Sequence, residues 1–166
     1  MAVGEPQSQR PPQRRGRRIM MRPAELDAFL TAQRTCRLAT VGPDGSPHVS
    51  PLWFAWDGQA LWLYSLVRSR RWAALRSGPR VAAVVDDGRE YGELRGAELA
   101  GRAEPVGEAP RKGEPCPELH CVEGLFADKY FGMATMPHDG RHAWVRLEPD
   151  RIVSWDFRKL PGLPGQ

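Results

Sequence analysis

Apolar positions change period several times along this chain, and each change marks an element. Leu26, Phe29 and Leu30 recur at helical spacing behind Pro23, which suits a first helical turn, so a helix with one buried stripe is predicted over roughly 23–33. The period then drops to two. Cys36, Leu38 and Val41 with Thr40 form one strand, Gly42-Pro43-Asp44-Gly45 a turn, and His48 to Trp56 a second strand. Pro47 and Pro51 lack a ladder donor, so this strand belongs at an edge, at a bulge, or with unpaired backbone turned toward a ligand. Asp57-Gly58 turns the chain into the β-prone run Ala60–Tyr64, and Arg80–Val85 makes another strand. Glu93 to Val106 contains Gly96 and Gly101 and is predicted to be a bent or bulged strand. A Pro- and Gly-rich loop over 107–117 precedes a helix over 118–131, carried by Leu119, Val122, Leu125, Phe126 and Tyr130. Ala143–Leu147 and Arg151–Phe157 are expected to form a last strand pair around Pro149-Asp150.

This order predicts a mainly β protein, a closed or nearly closed small barrel with peripheral helices. A doubly wound sheet would need a long helix after each strand. The stretch from Tyr64 to Arg80 organises it: a strand end, a turn, and a helix of about two turns that starts at the N-cap Ser69 and stops at Gly78-Pro79. Its first turn carries Arg70 and Arg71. Two cations at the positive end of a helix dipole are each unfavourable by about 0.3–1 kcal/mol, and that asks for an anion. A phosphate could accept from the free N–H groups, the Ser69 hydroxyl and both guanidinium groups.

Charge narrows the partners. The formal net charge is +4, and residues 1–18 alone carry Arg10, Arg14, Arg15, Arg17 and Arg18 against Glu5. The remainder is balanced, so the folded part offers no basic patch for nucleic acid, and 1–18 is expected to be a disordered basic tail. The domain is expected over 19–160, with a short tail over 161–166. No apolar run is long enough for a membrane span or a secretory leader, so a cytoplasmic address is expected. Three cysteines argue against a disulfide framework. Cys116, Cys121, His138 and His142 loosely echo a zinc-finger spacing, but the inner spacing is too long and no metal is expected. G-x-G-x-x-G, Walker A, G-x-S-x-G and H-E-x-x-H are all absent from the sequence.

Taken in order, PHVSPLWF (47–54), YS (64–65), SRR (69–71) with Leu75, Pro79-Arg80, GRAEPV (101–106) and RIVSWDFRK (151–159) resemble the flavin-binding split-barrel family of the pyridoxamine 5′-phosphate oxidases. The resemblance spans roughly residues 22–159. It implies a homodimer with a flavin-type cofactor between subunits, its phosphate on Tyr64, Ser65, Arg70 and Arg71. It also implies that Val49, Ser50, Pro51, Leu52, Trp53 and Phe54 run along the isoalloxazine ring, and that Trp155 comes from the partner chain.

The departures are as informative. The family's substrate-phosphate arginine and serine fall at Ala134 and Pro137, its C-terminal Arg-x-His has no counterpart, and a ring-contacting glutamine is replaced near Arg95 or Gly96. Vitamin B6 oxidation is therefore not expected. The resemblance implies instead an oxidoreductase using FMN or the deazaflavin coenzyme F-420 to pass hydride to a small conjugated substrate. His48, Tyr130 and His142 are the candidate acids or bases. The alternatives are a non-catalytic flavin-binding protein of the same fold and a haem-binding relative with His48 or His142 as axial ligand.

Overall fold

Segments with period-two alternation pair antiparallel and close on themselves. The strands are β1 (Thr35–Val41), β2 (Pro47–Trp56), β3 (Leu61–Leu66), β4 (Arg80–Asp87), β5 (Arg95–Val106) and β6 (His142–Asp156). Around the barrel they run β1-β2-β3-β6-β5-β4. The helices are α1 (Pro23–Ala32), α2 (Arg70–Ser77) and α3 (Pro117–Phe131). This computed structural model describes residues 10–14 and 16–162. The expected disorder of residues 1–9 and 15, and the tail over 163–166, lie outside the described residues. No helix among the described residues is long and apolar enough to cross a membrane.

Two apolar clusters hold the fold. The barrel interior packs Leu38, Phe54, Leu63, Leu99, Val145 and Leu147, and α1 adds Phe29 and Leu30 to it. Outside the barrel, α3 lays Leu119, Val122 and Phe126 against Trp62, Val106 and Trp144. β3 is buried on both faces, since alternate residues serve alternate clusters: Leu61 and Leu63 look inward, Trp62 outward.

β6 departs from expectation. The predicted pair around Pro149-Asp150 is one 15-residue strand whose first part, His142–Leu147, pairs with β3 and which pairs with β5 from Trp144 to Asp156. Pro149 lies opposite Gly101, where the register shifts between Ala100 and Gly101. A proline at a bulge loses no ladder hydrogen bond, and Gly101 leaves the needed space: a Cβ there would strike the Glu148 carbonyl and come 2.7 Å from Pro149 Cα. The strand therefore bends and does not turn back.

β2 meets the expectation of an edge. Pro47–Trp53 pair with β1, whereas only Phe54–Trp56 pair with β3. The prolines sit where one side has no strand.

β6 has a similar free edge beyond Leu147, and the chain's own N-terminal segment covers it. Arg10 donates to the Gln59 carbonyl (2.6 Å) and the Pro149 carbonyl (2.9 Å), while the Gln13 amide donates to the Ser154 carbonyl (3.1 Å) and accepts from its N–H (2.9 Å). The Ile19 carbonyl accepts from the Asp156 N–H at 2.6 Å. Arg10 and Gln13, within the segment expected to be disordered, thus have fixed partners, because the unpaired backbone of β6 supplies them.

Candidate functional site

Ser69 starts α2 as the sequence demands. Its Oγ accepts from the Trp72 N–H (3.1 Å), and its own proton goes to the Leu66 carbonyl (2.7 Å). The hydroxyl is therefore committed to capping and has no donor left for an anion. The two arginines that follow behave differently. Arg70 is exposed, whereas Arg71 is half-buried between two strands. Its Nε donates to Ser65 Oγ on β3 at 3.1 Å, and its Nη1 to Ser50 Oγ on β2 at 2.6 Å.

Arg71 meets two hydroxyls and, among the described residues, no carboxylate. Burial lowers the pKa of its guanidinium, yet arginine keeps its charge in proteins. The nearby Cys36 does not neutralise it, since burial pushes that thiol up to about 12. Its Nη2 has no hydrogen-bond partner among the described residues. A half-buried cation held by neutral groups, at the start of a helix with no acid in its first turn, is a place for an anion.

Beside Arg71 opens a cleft of about 510 Å³. Leu52 and Trp53 of β2, Phe126 and Phe131 of α3 and Tyr64 of β3 form its apolar walls. Its polar lining is Arg71, the loop residues His138 and Asp139, and His142 at the start of β6. Trp53 stacks on Tyr130 with ring centroids 4.4 Å apart and planes 12° from parallel. Tyr64 lies under the His142 ring at 5.0 Å and 22°. The Tyr64 hydroxyl is sealed from water and finds no partner, and burial pushes its pKa up to about 12.

Aspartate 139 sets the loop. Asp139 Oδ1 accepts from the N–H groups of Arg141 (2.9 Å) and His142 (3.1 Å), and Oδ2 lies 2.6 Å from His142 Nδ1. Burial alone would raise its carboxyl, but these hydrogen bonds outweigh that and hold it below the usual range. His138 turns its Nε2 to Glu123 Oε1 at 3.1 Å, and the same oxygen accepts from Arg111 Nε (2.8 Å) and Trp144 Nε1 (3.0 Å). His138 and His142 of the zinc-like spacing thus face carboxylates separately. Among the described residues no three His, Cys, Asp or Glu side chains are grouped to hold a metal ion.

The structure brings Leu52, Trp53, Tyr64, Arg71 and His142 to the cleft, with Ser50 and Ser65 behind Arg71. Val49 and Pro51 alternate outward on β2 and are exposed, while Phe54 is in the barrel core. His48 sits opposite Thr40 on β2, outside the cleft lining. Tyr130 is a clamp: its hydroxyl accepts from the Phe54 N–H (3.0 Å) and lies 2.8 Å from the Phe54 carbonyl and 2.6 Å from the Arg34 carbonyl, so no donor remains for a substrate. Trp155 lies near the far end of β6, against Gly96 on β5. Sequence reasoning missed Asp139, His138, Phe126 and Phe131. The Asp139-Gly140 pair two residues before His142 was the available signal, an Asx turn able to orient a histidine.

A closed barrel with a cation-lined, aromatic cleft at the mouth between β2, β3 and α2 defines a class, the split-barrel proteins of the flavin type. The chain belongs to the pyridoxamine 5′-phosphate oxidase family, whose model matches residues 23–156. A 5a,11a-dehydrotetracycline/5a,11a-dehydrooxytetracycline reductase of Streptomyces rimosus is 29% identical over 133 residues, covering 76% of this chain and 78% of that protein. A conserved hypothetical protein of Mycobacterium tuberculosis is 34% identical with a TM-score of 0.75, covering 93% of this chain and 96% of that one. A structure described as an F420 reductase is 26% identical with a TM-score of 0.59, covering 76% of this chain and 94% of that one.

Proposed function

We propose that this protein is an oxidoreductase that holds FMN or coenzyme F-420 in the cleft and reduces a small conjugated substrate. One observation carries the reading: the half-buried Arg71, with hydroxyls but, among the described residues, no carboxylate for company, opens onto a cleft walled by aromatic rings. Arg71, backed by Ser50 and Ser65, would hold the cofactor's phosphate; the α2 N-terminus adds to the field, and Arg70 contributes at longer range. Leu52 and Trp53 would flank the ring system. When bound, either cofactor supplies hydride; this chain's residues bind it, orient it and exclude water.

The two reductases among the similar proteins support reduction as the direction. The substrate named for the Streptomyces rimosus relative is a conjugated polycycle, and a cleft lined by Trp53, Phe126 and Phe131 is suited to a flat substrate of that kind. The exposed apolar side chains of Val49, Trp53, Phe131 and Met133 support a second copy packing over this mouth, where Trp155 of that copy could approach the ring.

Separate titrations of the purified protein with FMN and with coenzyme F-420, followed by ligand fluorescence and absorption, test the reading. Saturable binding of one of them is expected. A folded protein that binds neither overturns it, and a Soret band on adding haem would move the site to a different chemistry.

A further inference from the structure

Adding hydride to one end of a conjugated carbonyl drives an electron pair onto its oxygen, so the reaction needs a proton at the place where that charge appears. Few side chains near the cleft are free to give one. Tyr130 spends its hydroxyl on β2 backbone, the Tyr64 hydroxyl is sealed away, His138 Nε2 is held by Glu123, and Arg71 keeps its protons.

His142 is the exception. Asp139 Oδ2 sits 2.6 Å from its Nδ1 and the Tyr64 ring supports its face, so the imidazole is fixed in direction. Its Nε2 has no hydrogen-bond partner among the described residues, and the residue lines the cleft beside His138 and Phe131. A carboxylate on one ring nitrogen and an open cleft at the other is the arrangement of an oriented acid or base.

We propose that His142 is the catalytic acid of this cleft, positioned by Asp139 through Nδ1 and, when its ring carries both protons, delivering the one on Nε2 to the oxygen of a conjugated carbonyl substrate. The inference rests on the reductase reading above and adds a residue and a substrate feature to it. In the step, hydride from the reduced flavin-type cofactor forms a C–H bond at the far carbon of the C=C–C=O unit. The displaced π pair makes the substrate an enolate, and an O–H bond forms as the N–H bond of His142 breaks. The cofactor leaves oxidised by two electrons, the substrate gains two hydrogens, and water returns the proton to His142.

The charged and titratable groups around this imidazole are Asp139 and Arg141 on the loop before it, Tyr64 beneath it, Arg71 and His138 in the lining of the same cleft, and Arg111, whose backbone N–H meets the His142 carbonyl at 2.7 Å. Asp139 makes the shortest of these approaches to a ring nitrogen. It fixes the tautomer and the direction of the ring.

Two measurements test this without turnover. The first is the nitrogen NMR signature of the neutral His142 ring in the cofactor-free protein. Protonated Nδ1 with bare Nε2 is expected in the wild type; the opposite tautomer overturns the proposal. The second is binding of 4-nitrophenol, a conjugated oxyanion read directly by its absorbance, to protein saturated with whichever cofactor binds, so that Arg71 is already covered. The phenolate is expected to bind at least tenfold more weakly to His142→Gln, and severalfold more weakly to Asp139→Asn, with cofactor affinity and thermal midpoint unchanged. Equal affinity for wild type and His142→Gln, or no binding to either, overturns it. If no cofactor binds the wild type, the reductase reading fails instead, and the probe and the tautomer are then read on the free protein.

Discussion

Arg71 Nη1 stands 2.6 Å from the Ser50 hydroxyl, joining the start of α2 to the half of β2 that lacks a second strand. Arg70, one residue earlier, is exposed. The two cations share a helix terminus but not a role. Arg71→Ala is expected to weaken binding of the cofactor at least tenfold, and Arg70→Ala less than threefold, because water screens the exposed charge. Fluorescence titration of both variants checks this. Equal losses would mean that the helix terminus as a whole, and not the buried guanidinium, holds the phosphate.

Ser69 separates the cap from the ligand. Since Oγ accepts from Trp72 and donates to Leu66, Ser69→Ala removes a cap worth about 1 kcal/mol while leaving both hydroxyls behind Arg71 in place. A lower thermal midpoint with cofactor affinity within twofold is expected. A tenfold loss of affinity at unchanged stability would return the Ser69 hydroxyl to the phosphate.

Local signals account for what could be read from the chain alone. The Ser69 cap, the Gly78-Pro79 stop, the turns at Asp44-Gly45 and Asp57-Gly58 and the edge character of β2 all depend on residues near in sequence, and all appear in the fold. β6 was misread because Pro149-Asp150 looks like a turn unless Gly101, 48 positions earlier, is known to lie opposite. Asp139 is legible only in part: its turn onto His142 is local, but the cleft beside it, built by α3, β2 and β3, lies in no local window. The Ser69 hydroxyl, expected on a phosphate, is used by its own helix cap, and the Tyr130 hydroxyl, expected as a candidate acid or base, is used by tertiary contacts to Phe54 and Arg34.

The space at Gly101 and Gly124 makes opposite predictions for the same substitution. A Cβ at Gly101 meets backbone of β6, which cannot move without breaking the bulge, whereas one at Gly124 in α3 meets nothing within 4 Å. Gly101→Ala should destabilise by about 1–3 kcal/mol or more through overpacking. Gly124→Ala should stabilise by about 0.5–1 kcal/mol through helix propensity. Urea denaturation of both resolves the signs, and a neutral Gly101→Ala would show that the crossing of β5 and β6 is looser than its geometry.

Lys129 gives a pH dependence whose sign can be worked out. Its Nζ lies 4.5 Å from the centre of the Phe54 ring and 3.4 Å from the Phe54 carbonyl, with no carboxylate beside it among the described residues. Burial, with a smaller contribution from Arg34, lowers its pKa from 10.5 to about 8. Between those values the unfolded chain holds a proton that the folded one has released, so this group's contribution to stability rises with pH from about 8 toward 10.5. Tyr64 and Tyr130, pushed up to about 12, stay protonated over most of that window in the fold and do not mimic the slope. Lys129→Met keeps the length of the side chain and removes the charge. The variant is expected to gain stability relative to wild type at pH 7, with the difference shrinking steadily by pH 9.5, as read from urea midpoints at several pH values. A difference that stays constant would mean that Lys129 keeps its proton throughout, and that the ring and carbonyl of Phe54 compensate its burial in full.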